Sequence, residues 1–124
     1  MYYIYCFINI IFIFINITEL YLGLKFIGDK GLKDLCKLEF KELKKLYLGE
    51  NEISDIKVLE KVNFKELKEL NLSSDQISDI RVLEKVKFEK LEILNLSWNE
   101  ISNINILEKV NFKNLKELNL SSNI

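Results

Sequence analysis

The chain has 124 residues, 48% of them hydrophobic, and its 18 basic and 19 acidic side chains leave a net charge of −1. That length supports one domain with a continuous core. The balanced charge removes the electrostatic case for nucleic acid, whose binding rests on clustered Lys and Arg neutralising phosphates, and the absence of histidine removes the common general base of neutral-pH catalysis.

The chain opens on an apolar run. Residues 1–18, MYYIYCFINIIFIFINIT, hold no charged side chain. As a helix they would span about 27 Å, just short of the roughly 30 Å hydrocarbon core of a bilayer. That is compatible with a signal or anchor segment, and with a membrane-associated or exported chain. Against it, no basic region precedes the run and no small-residue cleavage site lies before Glu19. Seven isoleucines and six aromatics favour strand over helix, so a cap over the first repeat is a second reading. A start assigned upstream of the true first repeat is a third. Without an anchor the chain would be cytoplasmic. Residues 1–16 are therefore set apart as a hydrophobic N-terminal segment, and the repeat domain covers residues 17–124.

From residue 43 the chain repeats every 24 residues: 43–66, 67–90, 91–114, and a partial copy at 115–124. Residues 17–42 align as a divergent first repeat if two residues around Lys30–Gly31 are an insertion. Ile17, Leu20 and Leu22 then match the strand, Ile27, Leu32, Leu35, Leu38 and Phe40 match the later apolar positions, and Lys25 takes the place of an asparagine. In the second regular copy the apolar positions are Leu67, Leu70, Leu72, Ile77, Ile80, Leu83, Val86 and Phe88. The alternation Leu70, Asn71, Leu72 predicts a short strand. Steps of three from Ile80 through Leu83 to Val86 predict a turn or two of helix, α or 3₁₀, with Ser78 and Asp79 at its start. Burying these few apolar side chains cannot offset the entropy of ordering 24 backbones. Each unit must lie on its neighbour, which makes the array a solenoid.

The pattern L-x-x-L-x-L-x-x-N-x-L is met by Leu43, Leu46, Leu48, Asn51 and Ile53, and by Leu91, Leu94, Leu96, Asn99 and Ile101. Leu115, Leu118, Leu120 and Asn123 begin it again. These residues resemble the leucine-rich repeat family, in particular the short-repeat class of the type-one phosphatase regulatory subunit and of internalins. The resemblance implies an α/β solenoid with a concave parallel β-sheet and short convex helices, working in protein–protein recognition. It also implies a ladder of asparagines inside the turns, here Asn51, Asp75, Asn99 and Asn123. Asp75 departs from the pattern. An ionised carboxylate accepts hydrogen bonds but donates none, so the second rung is expected to be weak and Asp75→Asn to stabilise.

Alternation turns repeat positions 3 and 5 away from the buried leucines. Position 5 holds Tyr21, Tyr47, Asn71, Asn95 and Asn119; position 3 holds Glu19, Lys45, Glu69, Ile93 and Glu117. Position 8, on the flanking loop, holds Leu24, Glu50, Ser74, Trp98 and Ser122. Tyr and Trp bury much area with few rotatable bonds and are enriched among binding hot spots. Tyr47, Ile93 and Trp98, with Tyr21 one strand from Tyr47, are thus the expected anchors for a protein partner, and Lys45, Lys68 and Glu69 the residues that orient it. The bland alternative is repeat drift, or packing on a flanking segment. The Glu60–Lys61, Glu84–Lys85 and Glu108–Lys109 pairs belong to the solvated convex face. Sequons at Asn71, Asn95 and Asn119 read as by-products of the recurring N-L-S strand ending.

Catalysis has no foothold. Cys6 and Cys36 form no C-x-x-C pair, and the glycines at 23, 28, 31 and 49 form no phosphate-binding loop. No catalytic residue, metal or cofactor is expected. Two function classes stand: a non-catalytic interaction module, and a structural fragment of a longer repeat protein. The uncapped edge at residues 115–120 adds the prospect of edge-to-edge self-association.

Overall fold

The computed structural model describes residues 16–124. The readings of the apolar N-terminal segment fall almost wholly on residues outside that span.

Five three-residue strands form one open parallel sheet in sequence order: β1 (Glu19–Tyr21), β2 (Lys45–Tyr47), β3 (Glu69–Asn71), β4 (Ile93–Asn95) and β5 (Glu117–Asn119). Each is centred on a leucine, and Leu20, Leu46, Leu70, Leu94 and Leu118 lie directly beside one another. The strands begin one residue earlier than the alternation predicted. The ladder nevertheless runs on, because the N–H of Leu72 donates to the carbonyl of Asn95 at 2.9 Å.

The return side of each regular coil is a 3₁₀-helix: η1 (Lys57–Lys61), η2 (Arg81–Glu84) and η3 (Asn105–Glu108). Their three-residue apolar spacing suits i→i+3 bonds, seen as Leu59 N–H to Ile56 O and Leu83 N–H to Ile80 O, both 3.0 Å. Each starts at a short polar side chain. Asp55, Asp79 and Asn103 accept through Oδ1 from the N–H two residues on, all at 3.0 Å. In the first coil the two inserted residues lengthen this segment into an α-helix, α1 (Gly28–Leu35). Only glycine fits at 31, where a Cβ would meet that of Ile27 at 2.5 Å.

The core is a set of rows running across the coils. Phe40, Phe64 and Phe88 form one row, with successive ring centroids 6.1 Å apart, and all three are buried. In the last coil Phe112, Leu107 and Val110 are half-buried and Ile104 is 53% exposed. Stacking, rather than any single repeat, therefore supplies the burial. Among the described residues no helix is long and apolar enough to cross a membrane.

Candidate concave interaction face

The strand register builds two side-by-side columns on the face opposite the buried leucines. One runs Glu19, Lys45, Glu69, Ile93, Glu117; the other runs Tyr21, Tyr47, Asn71, Asn95, Asn119.

The half of this face on β1–β3 is a closed network. The rings of Tyr21 and Tyr47 stack at 4.6 Å with planes 13° apart. Tyr21 OH donates to Glu19 Oε2 at 2.9 Å, and Tyr47 OH donates to Glu69 Oε2. Lys45 Nζ lies between the two carboxylates, 3.8 Å from Glu19 and 3.3 Å from Glu69. The bond to Glu69 pushes the Tyr47 phenol up to about 12. Glu19 likewise raises Tyr21, and Glu69 raises Lys45. Both phenols are therefore neutral, and the lysine charged, throughout the neutral range. Tyr21 remains 58% exposed: its ring is held but not covered.

The half on β3–β5 is different. Asn71, Asn95 and Asn119 each accept through Oδ1 from the backbone N–H and the hydroxyl of the serine two residues on. These are Ser73 (2.9 and 2.7 Å), Ser97 (3.0 and 2.7 Å) and Ser121 (3.0 and 2.7 Å). Ile93 is half-buried in the neighbouring column. Trp98, on the loop after β4, is 65% exposed and sits at φ +55°. Leu24, Glu50, Ser74 and Ser122 share that left-handed corner, at φ 56–61°.

The corner exists to turn the next side chain inward. Asn51 Nδ2 donates to the carbonyls of Leu22 (2.8 Å) and Leu48 (2.6 Å), while its Oδ1 accepts from Lys25 N–H at 3.0 Å. Asn99 repeats this with Leu72 (2.8 Å), Leu96 (3.1 Å) and Ile77 N–H (3.0 Å). Asn123 repeats it with Leu96 (2.9 Å), Leu120 (2.8 Å) and Ile101 N–H (3.0 Å). Asp75 makes only the accepting half, from the N–H groups of Asn51 (2.8 Å) and Ile53 (3.0 Å). Its Oδ2 is buried and has no hydrogen-bond partner, and burial raises its pKa.

Of the residues singled out from sequence, Tyr21, Tyr47, Lys45 and Glu69 come together in one network. Lys68 does not join it. Lys68 belongs to a separate chain of ion pairs beside the strands, 3.3 Å from Glu92, which also holds Lys116 at 2.5 Å. Ile93 and Trp98 belong to neither group. Sequence reasoning passed over Glu19, which fixes Tyr21, and the Asn–Ser pairs. The signal for those pairs was the recurring N-L-S, since Asn and Ser are residues whose side chains bond nearby backbone. Cys36, the one cysteine within the described residues, is half-buried in the core and its thiol is pushed up to about 12 by burial.

The Leucine Rich repeats (2 copies) family matches residues 41–85, and the Leucine Rich repeat family matches residues 89–104. No curated protein matches the chain. Among solved structures, an internalin (inlF) from Listeria monocytogenes is 35% identical to it, covering 74% of this chain and 25% of its own, with a TM-score of 0.59. The chain thus spans a quarter of the length of that internalin.

Proposed function

The chain belongs to the leucine-rich repeat family, and on that premise we propose that it is a non-catalytic module that binds a protein partner across its concave sheet. The observation that carries this is the stacked tyrosine pair, fixed from the adjoining column by Glu19, Lys45 and Glu69, with Tyr21 still open to solvent. A rigid aromatic surface loses little entropy when a partner covers it, which is the economy seen at binding hot spots.

Tyr21 and Tyr47 form the platform, Ile93 an apolar ledge two strands away, and Trp98 a second anchor at the rim. Lys45 and Glu69 act mainly by holding the tyrosines, because their charges already satisfy each other. Lys68, half-exposed beside Glu92, contributes charge at the margin, where it affects encounter more than residence.

Proximity labelling with the full chain identifies the partner, and a competition pull-down with the Ile93→Ala, Trp98→Ala double variant then tests the face. Partner recovery is expected to fall at least about tenfold, the cost of losing hot-spot side chains. Unaltered recovery both by this variant and by Tyr21→Ala, each with the wild-type circular dichroism spectrum, would remove this reading.

A further inference from the structure

The asparagine half of the concave face has a chemistry that selects a kind of ligand. Because each Oδ1 of Asn71, Asn95 and Asn119 is taken by its serine, the amides cannot flip without losing two hydrogen bonds. Their Nδ2 groups donate to nothing among the described residues, where the one buried side-chain polar atom without a partner is Asp75 Oδ2. Three oriented, solvent-accessible donors therefore stand in register on β3, β4 and β5.

Spacing discriminates between occupants. Adjacent strands lie about 4.8 Å apart, so the column from Asn71 to Asn119 covers about 9.6 Å. An α-helix returns to the same face every 5.4 Å or so and overshoots that column by about 1.2 Å over two steps. An extended chain returns about every 6.8 Å and overshoots by about 4 Å. A polyproline helix, at roughly 9.3 Å per turn, reaches from Asn71 to Asn119 in one turn and presents no side chain to Asn95 between them. Side-chain rotation absorbs the first mismatch and not the others.

Charge narrows it further. The adjoining column is Glu69, Ile93 and Glu117. Glu69 is engaged by Lys45 and Tyr47, whereas Glu117 makes no ion pair among the described residues. Carboxylates on the ligand would be repelled here; uncharged acceptors and one cation are complementary.

We propose that the element bound on this half is an amphipathic α-helix lying across the strands. It carries Gln or Asn at i, i+4 and i+7 over Asn71, Asn95 and Asn119, an aliphatic side chain against Ile93, and Lys or Arg against Glu117. Across all five strands, about 19 Å, such a helix is about 13 residues long. This deepens, and rests on, the reading of the concave face as a protein-binding surface.

The test is a lactam-bridged helical peptide of about 14 residues with that pattern, fluorescently labelled and titrated by anisotropy against the full chain. Saturable binding is expected. Each of Asn95→Ala and Glu117→Gln should weaken it about fivefold, the size of one net hydrogen bond. Replacing the peptide's glutamines by norleucine should abolish it. Glu117 is exposed and unpaired, so its substitution reads binding without disturbing the fold. Failure of the bridged peptide to saturate, or equal affinity of the norleucine peptide, overturns the proposal. A proline-interrupted peptide of the same composition that binds more tightly also overturns the helical occupant. If its binding still falls in the Ile93→Ala, Trp98→Ala double variant, the concave-face reading survives; if no peptide responds to any of these substitutions, both fail.

Discussion

Asp75→Asn is expected to stabilise the array, and by an amount that depends on pH. At the equivalent point of the next coil, Asn99 Nδ2 donates to the carbonyls of Leu72 and Leu96 at 2.8 and 3.1 Å. Asp75 sets an oxygen in that position, and the oxygen is buried without a partner. An unsatisfied buried polar group costs about 1–3 kcal/mol, and the substitution both removes that cost and supplies the missing donor. The neutral-pH gain is therefore about 1–3 kcal/mol, or roughly 4–12 °C in the melting midpoint at about 4 °C per kcal/mol for a domain of this size.

Burial raises the pKa of Asp75 in the folded state, whereas the unfolded chain titrates near its ordinary value of about 3.9. Below that value both states hold the proton, and a protonated Asp75 has a donor for one carbonyl. As pH rises, the unfolded state ionises first and the wild type loses stability until the raised folded pKa is passed. The difference between Asp75→Asn and wild type should thus be small near pH 3 or so and reach its full value at neutral pH. Asp79, Glu66 and Glu92, whose pKa values are lowered by their own partners, cost stability on acidification in both proteins and so cancel in the difference. Thermal melts followed by circular dichroism at the two pH values make the measurement. An unchanged or lower midpoint at neutral pH, or a gain independent of pH, would refute the ladder argument.

Phe64→Ala, in the middle of the aromatic row, should cost about 3–5 kcal/mol in denaturant titration; Phe112→Ala, half-buried in the last coil, should cost clearly less, and equal losses would count against stacking as the source of stability. The Tyr47 phenol should ionise near pH 12 by ultraviolet difference absorbance, and Glu69→Gln should bring it back toward its ordinary value of about 10. Trp98→Gly should raise the melting midpoint slightly, by relief of a left-handed backbone conformation costing about 1 kcal/mol, while lowering partner recovery; a fall in both would mean that Trp98 packs within the array.

The period of 24 residues exposed the buried rows because stacking makes every coil repeat the same inward residues, and the same period sets the strand register, residue i against i + 24. The convex elements were ambiguous between α and 3₁₀ because steps of three suit both. The inserted Lys30–Gly31 decided it locally, by giving the first coil room for α1. Contacts within the concave columns were less legible. That Tyr21 adjoins Tyr47 follows from register alone, but the stacking of their rings and the partition of charge do not. Lys45, a strand residue, closes onto Glu69, while Lys68, one position earlier in the repeat, reaches Glu92 instead. Such choices depend on side-chain rotamers, which no periodicity encodes.

The left-handed corner links the core to the rim. For an asparagine to turn inward and bridge two coils, the residue before it must take φ near +55 to +61°, and its own side chain is thrown outward. Glycine or asparagine fills such a place at least cost, yet this chain uses Leu24, Glu50, Ser74, Trp98 and Ser122 there. None is fixed by the core, so the identity of each is free to answer to something outside it. A tryptophan in that position accepts backbone strain and leaves most of a large apolar ring in water. Neither cost is offset within the described array. Both are offset if a partner covers the ring, because the area then removed from water is large and the conformation is already fixed. By that balance, the residue least useful to the fold is the one with most to gain from binding.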